Sequence, residues 1–239
     1  MNLENFNKER VKKKMRKYNE KLDKSKIINL TPEQFDILKE LGNIGSGHAI
    51  TALSKFINSK IELSLTSVDI IPFWQIPNLF KNYNNNIVFG IFSKINRDTE
   101  LSIIQFYSKE SIINLINVLT VNERLTIDKI NKITDLDEFS YSIIKEIGNI
   151  MAGHYSNALA NLLSIKLIPN VPQIALDNIN AILDSIIAKY AQISDYSIII
   201  KTMIKINEIK LKGIICALPN LDFLHKLFEI LNIKYSINI

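Results

Sequence analysis

The stretch Leu38-Lys39-Glu40-Leu41-Gly42-Asn43-Ile44 returns 106 positions later as Ile144-Lys145-Glu146-Ile147-Gly148-Asn149-Ile150. The same displacement carries His48 onto His154, Ala52 onto Ala158 and Leu53 onto Leu159. Composition alone does not align so many unlike residue types at one offset, so the chain reads as an internal duplication. Two copies are too few for a solenoid, which generally needs three or more, and point instead to one compact pseudo-symmetric domain.

Working outward, Thr31-Pro32-Glu33-Gln34 has the form of a helix start, with a hydroxyl cap, proline in the first turn and acidic or amide residues next. This predicts a helix to about Asn58, a strand over Lys60–Ile71, and a break at Pro72 and Pro77 around Phe73-Trp74. After a turn at Asn82–Asn86, strands are expected over Ile87–Ile95 and Glu100–Tyr107, joined tightly at Asn96-Arg97-Asp98. A short helix follows over Lys109–Leu119. A polar linker, Asn122–Asp137, leads to a second round with a helix over Ser140–Leu163 and a strand at Lys166–Ile168 interrupted by Pro169 and Pro172. Ile174–Tyr190 is ambiguous between strand and helix, with helix expected within Leu176–Ala188. Ser197–Ile206 and Ile209–Leu218 form a hairpin about Asn207-Glu208, and Leu221–Leu231 a last short helix before a strand or tail to Ile239. The halves are therefore set at 31–121 and 122–239, behind an extension of residues 1–30.

On a helical wheel, Asp36, Glu40, Asn43 and Gly47 share one narrow sector. Leu38, Leu41, Ala49, Ala52, Leu53 and Phe56 lie broadly opposite, as a core face. The second copy groups Ser142, Glu146, Asn149 and Gly153 away from Ile144, Ile147, Ala158 and Leu159. A Glu and an Asn three residues apart can reach one external ligand, so Glu40, Asn43, Glu146 and Asn149 are the candidate site residues. The alternative is an inherited helix surface without chemistry. Gly47 and Gly153 on these faces leave room for another surface to come close, whereas Gly42 and Gly45 are placed for packing within the domain.

Other chemistries find little footing. Gly-Asn-Ile-Gly-Ser-Gly lacks the Gly-Lys-Ser/Thr or Gly-x-Gly-x-x-Gly of phosphate-cradling loops, and no Gly-x-Ser-x-Gly elbow is present. Glu40 and His48 are eight residues apart, over about 10 Å along a helix. His48 and His154 are therefore expected at the edge of the packed face, hydrogen-bonded there, and not in a metal site. The lone Cys216 sits in an apolar run, which excludes an internal disulfide and fits a reducing compartment. A buried thiol and a nucleophilic one both remain open readings.

The net charge of +5 is unevenly spread. Residues 1–30 hold ten Lys/Arg against four Asp/Glu, and the remainder nineteen against twenty. The basic character thus belongs to the leader, read as a solvated extension or a docking segment. The body has no aromatic-interleaved basic patch for nucleic acid. With neither a signal-like apolar segment nor a spanning run, a cytoplasmic protein without membrane insertion is expected.

The run from Leu38 to Ala49, with its degenerate repeat from Ile144, resembles the CheC family of chemotaxis phosphatases, which has relatives in the flagellar switch. The family signature is similar to an acidic or hydroxyl residue, three residues, Glu, two residues, Asn, and a proline 23 positions later. Ser142, Glu146, Asn149 and Pro172 match it fully; Asp36, Glu40 and Asn43 match, but Thr66 occupies the proline position. The resemblance runs from about Glu33 to the C-terminus and looks like the two-site form. It implies an α/β fold with paired helices on a continuous, mainly antiparallel sheet, in a chain monomeric by itself. It also implies dephosphorylation of a CheY-like response regulator, with catalytic Glu40, Asn43, Glu146 and Asn149. A CheD-like deamidase or flagellar switch protein is implied as a further partner. The chain would need no cofactor of its own, since a divalent ion such as Mg would belong to the regulator.

Overall fold

The computed structural model describes residues 30–72, 75–79, 87–120, 125–190, 196–206 and 209–233, with backbone alone at 63–66, 187–190, 202–206 and 209–212. The leader, the Phe73-Trp74 break, the turns at Asn82–Asn86 and Asn207-Glu208, and the last six residues lie outside the described residues.

The first helix, α1 (Pro32–Ile57), begins as its sequence dictates. Thr31 Oγ1 accepts from the Gln34 amide at 3.3 Å, while Gln34 Oε1 accepts from the Thr31 amide at 2.9 Å. Gln34 Nε2 also donates to the Leu231 carbonyl at 2.7 Å, tying the helix start to the far end of the chain. Leu38, Leu41, Ala49 and Leu53 are buried as the wheel requires. Phe56 is not, being 39% exposed. The last turn is instead anchored by Leu53 and Ile57, four residues apart on one stripe, which leaves Phe56 on the flank.

Strands β1 (Ile61–Pro72), β2 (Ile87–Arg97) and β3 (Leu101–Ser108) follow, then α2 (Lys109–Leu119). β1 ends at Pro72, opposite Tyr196, within one residue of the expected break, a position open to proline because β1 is an edge strand. The Asn96-Arg97-Asp98 connection is shorter than expected, since β2 continues through Arg97, whose φ is 144°. Two single 3-10 turns lead to α3 (Glu138–Leu163), which starts two residues ahead of Ser140 because Asp137 caps it, accepting from the Ser140 amide at 2.7 Å.

The ambiguous stretch resolves into both readings. β4 (Leu167–Pro169) and β5 (Gln173–Asn178) are followed directly by α4 (Ile179–Tyr190). β6 (Tyr196–Ile206), β7 (Ile209–Pro219) and α5 (Leu221–Ile230) complete the order.

The strands make one sheet in the order β1-β6-β7-β3-β2-β4, with β5 also on β2, and every pairing is antiparallel. The first strand of the chain's front part thus pairs with β6 of its rear part, and β4 and β5 of the rear part pair with β2 of the front. The fold is a mixed α/β architecture on a mostly antiparallel sheet.

Period-2 alternation gives the sheet two apolar faces. Leu101, Ile103 and Tyr107 of β3, with Ile215 and Ala217 of β7, enter the main core under α1, α2, α3 and α5. Ile104 and Phe106 of β3, with Cys216 and Leu218 of β7, point the other way, against Ile179, Leu183 and Ile186 of α4. No helix among the described residues is long and apolar enough to cross a membrane.

The two Glu/Asn helix faces as candidate functional site

α1 and α3 are each 26 residues long and pack on one another above the sheet. Both end on a non-glycine residue in the left-handed conformation, Asn58 at φ 51° and Ser164 at φ 52°, which stand at the same 106-residue offset. Asn is among the residues that tolerate this cap most readily, and serine less so.

Close approach of the helices depends on glycine. A Cβ on Gly45 would meet Tyr155 Cδ1 at 2.6 Å, and one on Gly148 would meet Ile91 Cγ2 at 2.4 Å. Gly45 thus admits the neighbouring helix, and Gly148 lets α3 sit down on β2. The packing role expected of Gly45 is found, in the form of a contact between helices. Gly47 and Gly153 behave differently: a Cβ there would find nothing within 4 Å.

With the buried stripes committed to the core, the opposite faces are left to solvent. Asp36, Glu40, Asn43 and Gly47 are exposed on α1; Ser142 and Asn149 are exposed on α3, with Glu146 half-buried. Each face presents a carboxylate and a carboxamide separated by about 4.5 Å of helix rise. A carboxamide can donate and accept hydrogen bonds at once, and a carboxylate can pair with a cation. Such a face can orient a water or grip a charged group. Two apolar side chains beside these faces were not read from the sequence: Ile44, 41% exposed, and Phe139, 59% exposed. The wheel carries them at about 40° and 20° from Glu40 and Glu146, and attention to the polar sector alone passes over them.

His48 and His154 lie where the helices meet, their rings stacked at 6.0 Å between centroids and 12° between planes. The expected edge position holds, but the notable partner of each imidazole is the other. Burial, and secondarily the neighbouring His48, lowers the pKa of His154. Among the described residues, no group of three or more His, Cys, Asp or Glu could hold a metal ion. Cys216 is buried on the α4 side of the sheet, where desolvation pushes its thiol up to about 12, the opposite of an activated nucleophile.

Thr66, in place of the expected proline, falls where the β1–β6 register shifts between Leu65 and Ser67. Pro172, its counterpart, immediately precedes β5.

Residues 33–64 and 139–176 match the CheC-like family, and these two segments contain Glu40, Asn43, Glu146 and Asn149. The CheY-P phosphatase CheC of Bacillus subtilis (strain 168) is 31% identical over 201 residues, spanning 82% of this chain and 92% of that protein. Among solved structures, Thermotoga maritima FliY aligns with a TM-score of 0.61 at 20% identity, covering 87% of this chain and all of that one. The FliM middle domain from H. pylori aligns with a TM-score of 0.55 at 13% identity, covering 86% of this chain and 100% of its own. At those identities the two structures speak for the fold alone. Identity of 31% sustained over most of both sequences speaks for descent, and the chain belongs to the CheC-like family.

Proposed function

We propose that this protein hydrolyses the aspartyl phosphate of a CheY-like response regulator at two surface sites, Glu40/Asn43 and Glu146/Asn149. The observation that carries this reading is the pair of solvent-facing Glu/Asn faces, each beside a glycine with open space above it, within segments matched to the family. The likeness to a CheY-P phosphatase supplies the substrate class.

The reaction asks little covalent chemistry of the enzyme. Water attacks phosphorus, the phosphorus–oxygen bond to the aspartyl carbonyl breaks, and the products are the free carboxylate and inorganic phosphate. Positioning the water in line is the main requirement. The carboxamide of Asn43 or Asn149 accepts a hydrogen bond from the water and orients it without being a strong base. Glu40 or Glu146 pairs with a cationic side chain beside the regulator's phosphorylated aspartate, docking the helix. Any divalent ion would belong to the regulator, where it would offset charge on the phosphoryl oxygens. Gly47 and Gly153 admit the partner's backbone.

We infer the organisation from the same features. Residues 31–121 and 122–239 form two related halves of one domain about an approximate two-fold axis, behind the basic extension of residues 1–30. The shared offset, the matching left-handed caps and the exchange of strands support this.

The test is catalytic turnover. Substoichiometric protein added to a phosphorylated CheY-like regulator should accelerate loss of phosphate over many cycles. Stoichiometric binding without acceleration would instead identify a chemotaxis or flagellar-switch binding module on the same fold. A CheD-like partner is the remaining proposal, checked by co-purification of the two purified proteins.

A further inference from the structure

The carbonyl groups just before the two site asparagines are both engaged by buried side chains, through different neighbours. Gln105 Nε2 donates to the Gly148 carbonyl at 2.7 Å, and the Tyr107 hydroxyl donates to Gln105 Oε1 at 3.0 Å. Gln105 is 0% exposed and Tyr107 1%. On α1, Ser46 Oγ donates to the Gly42 carbonyl at 2.7 Å and lies 2.9 Å from the Tyr155 hydroxyl. Gly42 precedes Asn43, and Gly148 precedes Asn149.

All four side chains are buried, so none is placed to act on a partner directly. Gln105 stands at the centre of the sheet, opposite Ile91 on β2 and Ile215 on β7. It is an amide where its neighbours are aliphatic. Ile91 also meets Gly148, at the position where a Cβ would collide. The Ile91–Gln105 pair therefore seats one turn of α3, Ile91 limiting its height and Gln105 holding its carbonyl. Tyr107 occupies Oε1 and so directs Nε2 toward that carbonyl. On α1 the equivalent hold is a serine bonded back to the carbonyl four residues earlier, fixed in its rotamer by a tyrosine of the other helix. Buried, satisfied polar groups of this kind specify one arrangement where apolar packing tolerates several.

We propose that Gln105 is a positioning residue for Asn149, and that Tyr155, through Ser46, is a positioning residue for Asn43. The second site is set by the sheet and the first by the opposing helix. This rests on the phosphatase reading for its catalytic consequence, but not for its structural one.

The test uses single-site backgrounds of the full chain. Asn43→Ala leaves the second site and Asn149→Ala leaves the first. Gln105→Met with Tyr107→Phe removes the hold on Gly148 at nearly constant volume and leaves no hydroxyl orphaned. In the Asn43→Ala background this pair should lower kcat roughly tenfold with KM unchanged, since small misplacements of a water-orienting group cost rate more than affinity. In the Asn149→Ala background it should change kcat by less than about twofold. Tyr155→Phe should show the reverse pattern. Amide hydrogen exchange is the second readout: the first change should speed exchange at residues 148–152 and not at 42–46. Equal losses in both backgrounds, or in neither, would overturn the assignment. If the wild-type protein turns over no regulator, the phosphatase reading falls. The exchange pattern alone then decides the inference, site-selective acceleration upholding it and uniform or absent acceleration defeating it.

Discussion

His48 and His154 face each other across the helix pair with ring centroids 6.0 Å apart and planes 12° from parallel, so the charge of one imidazole is felt by the other. Burial is the larger cause lowering the His154 pKa, and His48 the smaller. In the unfolded chain His154 takes up its proton near the ordinary value of 6.5; in the folded chain it does so only at lower pH. Between those values the unfolded state binds more protons, so stability rises with pH through that window, is full above 6.5 and is lost as pH falls. Urea midpoints measured from about pH 5 to pH 8 should show an acid-side loss that His154→Gln reduces. An identical pH profile in the two proteins would refute the effect.

Asn43→Ala and Asn149→Ala should each lower phosphatase turnover, and the double change should nearly abolish it. Folding should be intact, because both asparagines are exposed. Glu40→Gln and Glu146→Gln should act more on KM than on kcat, as expected for a charge-assisted docking contact. Steady-state kinetics at low and saturating regulator separate the two effects. A double Asn variant with wild-type turnover in both regimes would remove the water-positioning role.

The glycines divide into two classes with opposite expected signs. Gly148→Ala places a methyl 2.4 Å from the branched Cγ2 of Ile91 and should destabilise the protein by about 1–3 kcal/mol. Gly153→Ala meets nothing within 4 Å and should stabilise it by about 0.5–1 kcal/mol through helix propensity. The same Gly153→Ala should slow turnover at the second site if a partner backbone approaches there. Chemical denaturation reads the first pair of effects; the Asn43→Ala background reads the last.

Cys216 should be inert in the folded protein. It is 1% exposed with its thiol pushed up to about 12, so labelling by a thiol reagent at neutral pH should follow the unfolding rate. Rapid labelling under native conditions would show that α4 opens independently of the rest.

Removal of residues 1–29 should preserve a cooperative unfolding transition, because the main core is assembled from Leu38 to Leu231. Loss of that transition would show that the basic leader contributes to the fold.

Local physics made much of this legible in the sequence. Thr31, Pro32 and Gln34 act within one turn of each other, so the start of α1 could be read from their identities. The exposure of Glu40, Asn43 and Asn149 follows from which other positions are apolar. The partners of Gly45, Gly148 and Gln105 could not be read in this way, because Tyr155, Ile91 and the Gly148 carbonyl are brought to them only by the fold. Pro72 was legible because a proline stops a strand by its own chemistry, and β1 ends there. Ile174–Tyr190 held two signals in one apolar run, and the change of period at Ile179 is visible only once Ile179, Leu183 and Ile186 have a sheet to face.

The exchange of strands also sets a timetable for making the protein. Pro72 is translated 124 residues before Tyr196, its partner across β1 and β6. At the usual pace of a ribosome, that leaves β1 without its neighbour for about 6 to 25 s. During that interval β1 is an unpaired strand on a nascent chain, the form in which polypeptides most readily join the wrong neighbour. Glu62, Asp69 and Pro72 punctuate its apolar run, as gatekeeper residues do where a strand must wait.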